Sequence, residues 1–331
     1  MVPDWRGYAG IRNSSLIYNR KVLCTFVTLS LNCRVLESPV LLRLISAAFL
    51  IFLGSSVVAD SKSADERIIE TIPKLVAEYS RLSGIFVPEL QSEDIEILLA
   101  GKSVISTSRE QDIEPGGDVE AMGLLGIQLV EAPRLLVWLS LLGGSGQSDD
   151  RVVTAMLSQG PGSAYSRYQY VNLPWPIRDR HWVIFCEKNV ALADATDGVI
   201  WEHRWSLQEN GEQLLQTAFD DGRIPRLNVR TFNKTIYLPA NRGTWGLIDL
   251  GQNKTLIVAF YDADLGGRLP GGLVRSFTKR QLRRYLETTR EQTDYVLQFY
   301  DENYPVHDGF GSPISWQEAS DVFRNREISR D

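Results

Sequence analysis

The chain has 331 residues, 44% hydrophobic and 23% charged, with 35 Lys and Arg against 41 Asp and Glu, 3 Cys and 3 His. That length suits roughly two domains or one large mixed α/β domain, and the apolar fraction excludes disorder. A net charge of -6 leaves no basic excess for nucleic acid. Three cysteines and three histidines exclude a disulfide framework and disfavour a multi-ligand zinc set, so neither metal nor cofactor is expected.

Residues 1–59 differ from the rest. They carry six basic residues (Arg6, Arg12, Arg20, Lys21, Arg34, Arg43) and two acids (Asp4, Glu37), which leaves a net -10 over residues 60–331. The apolar run 44–53 follows Arg43 and exits through small residues, with Val57 and Ala59 at the -3 and -1 positions. This is the pattern of a secretory signal peptide cut after Ala59. The run is shorter than the roughly 20 residues that span a bilayer. Counted from Leu41 to Ala59, however, the stretch is 19 residues long, so an uncleaved anchor is the first alternative and a buried helix the second. An exported protein, periplasmic or secreted, is therefore expected. The stretch before the signal suggests a start nearer Val35 or Val40. Cys24 and Cys33 fall in the removed part, and Cys186 stays as a small buried hydrophobe.

In the body, residues 64–82 place Ile68, Ile69, Ile72, Leu75, Val76 and Tyr79 at helical spacing, with Pro73 as a kink or restart. Ser92, Glu93 and Asp94 open a short helix that ends at Gly101. Strands are expected over 103–109 and 119–130 around the turn 114–118. Ala132 and Pro133 start a helix over 134–142 that Gly143 and Gly144 stop. Strands then follow at 152–159, 165–172, 181–191, 198–208, 228–238, 243–250 and 255–262. In 199–207, Val199, Trp201, His203, Trp205 and Leu207 share one face, with Glu202, Arg204 and Ser206 on the other. This predicts an antiparallel sheet with one buried and one wet face. From Pro270 a long helix carries Leu273, Val274, Phe277, Gln281, Leu282, Tyr285 and Leu286 at three- and four-residue steps, continuing to Tyr300. Its opposite face bears Lys279, Arg280, Arg283 and Arg284, read as a solvated face, with transient membrane-surface contact as the alternative. Such a stripe needs a partner, and a curled antiparallel sheet supplies one. The tail from Tyr304 is expected to lie across the surface.

Four stretches carry a family resemblance. They are Leu173-Pro174-Trp175-Pro176-Ile177-Arg178-Asp179-Arg180, Gly243-Thr244-Trp245, residues 266–274 (GGRLPGGLV), and Val130-Glu131-Ala132-Pro133 through Trp138. In their order and spacing they resemble the START-type lipid-transfer domain of the polyketide cyclase/lipid-transport superfamily, over about residues 90–300. A departure is that Asp179 precedes Arg180, where the family usually has arginine before aspartate. The resemblance implies an α+β helix-grip fold, a curved antiparallel β-sheet wrapped around a long C-terminal α-helix. It divides the chain into an extension and signal at 1–59, a helical lead-in at 60–89, the helix-grip domain at 90–303 and a tail at 304–331.

It further implies an apolar tunnel that binds, and in a carrier transfers, a sterol, fatty acid or phospholipid, the partner being a lipid-like small molecule and the protein a monomer without nucleic acid. The candidates for ligand contact are Trp201, His203, Trp205, Tyr237, Trp245, Phe277 and Tyr285. For His203, a satisfied core histidine is favoured over ligand contact or acid/base catalysis, and for Asp179 and Arg180 a turn-stabilising salt bridge over a catalytic pair. No nucleophile–base–oxyanion set and no phosphate-cradling loop is present, so no catalytic residue is assigned. A cyclase- or aromatase-type enzyme with His203 as acid/base is the alternative. The loop Arg223, Ile224 and Pro225, with Ile224 taken as exposed, is the lid candidate. Peptide mapping of the protein isolated from its own cells is expected to lack residues 1–34; their recovery would overturn the later start.

Overall fold

The computed structural model describes residues 64–107, 122–142, 152–160, 163–173, 177–266, 271–298, 300 and 306–328. The expected signal at 1–59 and the turn at 114–118 lie outside them. In chain order the elements are α1 (Ala64–Ser83), α2 (Ser92–Leu99), β1 (Ser103–Thr107), β2 (Met122–Val130), α3 (Arg134–Leu142), β3 (Val152–Gln159), β4 (Tyr165–Val171) and β5 (Arg180–Lys188). Then come α4 (Val190–Ala195), β6 (Ile200–Leu207), α5 (Gly211–Asp220), α6 (Val229–Lys234), β7 (Ile236–Tyr237), β8 (Ala240–Asp249), β9 (Thr255–Asp264), α7 (Gly271–Gln292), a 3₁₀ turn (Val296–Gln298) and α8 (Trp316–Ile328). The strands form one sheet in the order β1-β2-β9-β8-β6-β5-β4-β3. Every pairing along that path is antiparallel, and β7 adds to β5 in parallel. With α7 packed on the face of β1 and β2, the fold is a helix grip.

Glycine placement seats the helix. On β2, a Cβ at Gly126 would lie 3.0 Å from the side chains of both Leu282 and Leu286, so the missing side chain is the socket for the apolar stripe of α7. That stripe holds Leu282, Leu286 and Thr289 buried, whereas Gln281, expected among them, is exposed. The helix ends at Gln292 rather than running to Tyr300, and the 3₁₀ turn carries Val296 into the same core.

The second face of the sheet is covered too, which corrects the expected wet face. Helix α1 continues through Pro73 and lays Ile68, Ile72, Val76 and Tyr79 on Leu125, Ile127, Ile200 and Ile248. Glu202, predicted to face water, is fully buried beneath it. Its Oε1 accepts from Tyr79 Oη at 2.8 Å; its Oε2 accepts from Asn189 Nδ2 at 2.7 Å and from Arg204 Nε. Tyr79 Oη also sits 3.0 Å from Thr244 Oγ1, and its ring occupies the space a Cβ at Gly246 would need, 2.6 Å away. Periodicity placed Glu202 opposite Trp201 correctly. It did not reveal that a helix some 120 residues earlier in sequence would cover the outer face.

Two further expectations change. The strand expected over 228–238 is helix α6 followed by the two residues of β7. Asn228 caps that helix by accepting from Thr231 N at 2.9 Å, and Phe232 stacks on Phe219 of α5 at 4.1 Å. The tail is likewise part of the fold. Helix α8 packs on α3, burying Ala319 and Arg326, whose guanidinium donates to Thr293 O and Glu131 O and pairs with Asp294 at 2.8 Å.

Tyr79→Phe leaves a buried carboxylate oxygen without its hydroxyl donor and is expected to cost about 1–3 kcal/mol. Gly246→Ala overpacks the same contact and is expected to cost on the order of 1–3 kcal/mol. Urea unfolding measures both; an unchanged midpoint in either variant would show that α1 is not held there.

Candidate functional site

Strand register arranges the inner face of the sheet in rows. One row runs Tyr165, Cys186, Trp205, Gly243, Tyr261 across β4, β5, β6, β8 and β9. The next runs Lys188, His203, Trp245, Ala259, Gly126. Large and small side chains alternate, and a Cβ at Gly243 would fall 2.2 Å from Trp205 Cζ2, so the indole lies over the glycine. Trp205 is then 5.0 Å from the Tyr261 ring and 6.1 Å from Trp245, and Trp245 stacks on Tyr285 of α7 at 4.7 Å. Trp205 Nε1 donates to Asn241 Oδ1 at 2.9 Å, and Tyr285 Oη donates to Leu141 O at 3.3 Å.

Helix α7 packs principally on β1, β2 and α3, and so leaves the inner side of β4 and β5 less covered. There Tyr165, Arg167, Gln169, Trp182, Tyr261 and Tyr285 retain partial exposure. Even so, burial pushes the phenol of Tyr285 up to about 12 and those of Tyr165 and Tyr261 further upward. These three phenols are desolvated by surrounding protein yet keep some free surface, which makes this side of the inner face the candidate hollow for a ligand.

Polar groups sit at one end of it. Lys188 Nζ lies 3.2 Å from His203 Nδ1, and Tyr165 Oη lies 3.4 Å from His203 Nε2, with the Tyr165 and His203 rings stacked at 6.0 Å. Burial first, then the charges of Lys188 and Arg167, holds the His203 pKa well below its ordinary value, so the ring is neutral. Burial also lowers Lys188 to about 7, while its ammonium lies 5.0 Å over the Trp138 ring. Cys186 is buried in the same row as Tyr165, and burial raises its thiol to about 11, away from a nucleophile's range.

Of the predicted contacts, the fold brings His203, Trp205, Trp245 and Tyr285 together around this hollow. Trp201 closes the end of the core instead. It is wedged between Trp138 at 5.5 Å, the Arg134 guanidinium at 3.9 Å and Gly309, where a Cβ would fall 2.2 Å from the indole. Tyr237 is on the outer face: its Oη accepts from Val183 N at 3.2 Å and its ring packs with His181 at 5.7 Å. The expected strand that would have turned Tyr237 inward does not form. The side chain of Phe277 lies outside the described residues.

The lid reading also changes. Ile224 is only 6% exposed and packs with Val153, Tyr168 and Leu215, while Arg223, which donates to Leu157 O, and Pro225 are exposed. Asp179 and Arg180 hold their turn mainly through separate partners: Arg180 Nη1 reaches the Asp179 backbone carbonyl at 3.4 Å, and the Asp179 carboxylate bonds elsewhere. Asp179 accepts from Tyr170 Oη at 2.6 Å and Leu173 N at 3.0 Å, and Arg180 donates to the carbonyls of Leu265, Gly266 and Arg178. Tyr165, Arg167, Lys188 and Tyr261 were not anticipated as site residues. The signal was there in their period-two alternation, but only the cross-strand register sets Lys188 opposite His203 and brings Tyr165 and Tyr261 into one row, with Arg167 in the row beyond.

A separate groove of about 450 Å³ opens on the outer face between residues 83–86 and β5, β6 and β8, with Phe86 68% exposed at its rim. Its lining is mostly outer-face residues, such as Phe185, Glu187, Arg204 and Phe260, and it also touches Trp205 and Gly243 of the first row. Among the described residues no group of three or more His, Cys, Asp or Glu could hold a metal, and no helix is long and apolar enough to cross a membrane.

No protein-family model matches the chain, and no curated protein matches it either. Solved structures do. The chain is similar to human StAR-related lipid transfer protein 5, with 16% identity over 71% of this chain and 99% of that one and a TM-score of 0.45. It is similar to a STAR-related lipid transfer protein from Xanthomonas axonopodis, with 16% identity over 57% and 98% and a TM-score of 0.40. The Zhui aromatase/cyclase from a Streptomyces species shares 15% identity over 64% and 97%, with a TM-score of 0.29.

Lys188 sets a pH dependence. Its folded pKa is depressed to about 7 from an unfolded 10.5, so the unfolded chain binds the extra proton between those values. Stability is therefore expected to rise as pH increases from about 7 towards 9, by at most about 1.4 kcal/mol per unit, above which the Cys186 thiol, raised from 9.0 to about 11, acts in the opposite sense. Lys188→Met is expected to flatten that rise in denaturant titrations across the window. A wild-type curve that falls or stays level there would contradict the buried placement of Lys188.

Proposed function

We propose that this protein is a non-enzymatic carrier that sequesters a hydrophobic ligand in the hollow between α7 and strands β4, β5, β6, β8 and β9. The observation that carries this reading is the set of desolvated but partly exposed phenols, Tyr165, Tyr261 and Tyr285, with the partly exposed Trp182 on the same inner face. They offer an apolar and aromatic wall with few polar groups, the composition that favours an apolar ligand. A bound apolar chain gains about 25 cal/mol for each Å² removed from water. Sterols, fatty acids and phospholipids are the ligand classes this chemistry admits. Export through the segment 44–59 belongs to the same proposal and rests on the sequence alone.

The alternative, acid/base catalysis at His203, has less support. A neutral imidazole with Lys188 at one nitrogen and Tyr165 at the other has both edges engaged, which suits a structural role better than proton transfer to a ligand.

Native mass spectrometry of the full chain, followed by organic extraction, tests the carrier reading. A stoichiometric lipid-like mass is the expected result. A clean apo mass that also refuses added sterol, fatty acid and phospholipid would overturn it.

A further inference from the structure

Charge is sorted between the two faces of the sheet. On the outer face, acids and bases are paired: Glu202 with Arg204, and Asp262 with Arg242. The inner-facing positions 165–171 of β4, 182–188 of β5, 201–207 of β6, 241–247 of β8 and 255–263 of β9, taken at every second residue, include Arg167, Lys188 and His203 and no Asp or Glu. Helix α7 adds no acid from its buried side, since Glu287 and Glu291 are exposed. From the loop before α8, Asp308 is the acid whose charge reaches Lys188, but its Oδ1 accepts from Phe310 N and Ser312 N and closes its own turn.

Arg167 is the accessible member of this set. It is half-buried on β4, one row from Tyr165, and its charge acts on Tyr165, Cys186, His203 and Tyr285 together, which places the guanidinium at the wall of the hollow. It makes no hydrogen bond or ion pair with any described residue. A half-buried guanidinium with no counter-charge among the described residues is open to an anion. The planar guanidinium fork matches the two oxygens of a carboxylate, and one accessible fork balances one negative charge.

We propose that the occupant of the hollow is an amphiphile with a carboxylate end, received by Arg167 with Lys188 behind it, its apolar body lying against Trp205, Trp245, Tyr261 and Tyr285. The proposal rests on the carrier reading and narrows it from any hydrophobic ligand to a long-chain acid. An uncharged sterol would leave both cations unanswered.

The test is calorimetric titration of the delipidated full chain with oleate, methyl oleate and cholesterol, each below its aggregation limit. Oleate is expected to bind at least about tenfold more tightly than methyl oleate, the order one charge-assisted pair supplies. Arg167→Met is expected to remove that preference while leaving methyl oleate binding as it was, and Arg167→Lys to keep most of it. Equal affinities for oleate and methyl oleate, or an oleate preference that survives Arg167→Met, would overturn the headgroup assignment and leave the carrier reading standing. If none of the three binds and no lipid co-purifies, both readings fall. Because Arg167 is half-exposed, its variants are expected to fold, and an unchanged thermal midpoint verifies that independently.

Discussion

A strand buried on both faces leaves no side chain free to be polar by accident, and β6 is such a strand. Ile200 and Glu202 point under α1; Trp201, His203 and Trp205 point beneath α3 and α7. Burial obliges each polar group to find a partner. On the outer side this produces the network of Tyr79, Glu202, Asn189, Arg204 and Thr244, which ties α1 to the sheet by hydrogen bonds as well as by apolar contact. On the inner side it produces the Lys188–His203–Tyr165 line, in which a neutral ring separates an ammonium from a phenol.

The grip depends on where side chains are missing. Gly126 receives Leu282 and Leu286, Gly243 receives the Trp205 indole, and Gly246 receives the Tyr79 ring. Each glycine lets a large group from another element approach the backbone of the sheet, so α1 and α7 sit close to opposite faces of neighbouring strands. Seating α7 towards β1 and β2 has a direct consequence for function. The helix closes one side of the inner face and leaves the other, around Tyr165, Arg167 and Trp182, lined but not filled.

Sorting charge by face gives this hollow its chemical character. Acids on the central strands turn outward, Glu202 and Asp262 being answered by arginines, while the inward charges are cationic. A wall of tryptophan and tyrosine accepts any apolar body, so shape and burial alone would make for weak selectivity. Discrimination among ligands must come from the few polar groups, and here these are a guanidinium, an ammonium and a neutral imidazole.

Much of this architecture was legible in the residues themselves. The period-two pattern of 199–207 set Trp201, His203 and Trp205 on one face, and the three- and four-residue spacing of Leu282, Tyr285 and Leu286 marked the gripping helix, because both periods follow from local backbone geometry. Local geometry could not say what lies against a face. Glu202 was read as wet because α1, distant in sequence, covers it; Ile224 was read as exposed because its loop is rich in turn formers, although it folds under α5. Tyr237 was turned inward by a β-like composition that the Asn228 cap and the Phe219–Phe232 stack override in favour of a helix. Arg167 and Lys188 drew no notice as single strand residues; cross-strand register sets Lys188 opposite His203 and Arg167 on the same inner side. The sequence by itself determined the long strands, the gripping helix and the periods that give each its two sides, since these depend on near neighbours. The tertiary structure decided which faces are covered and which side chains meet, since those contacts join residues far apart along the chain.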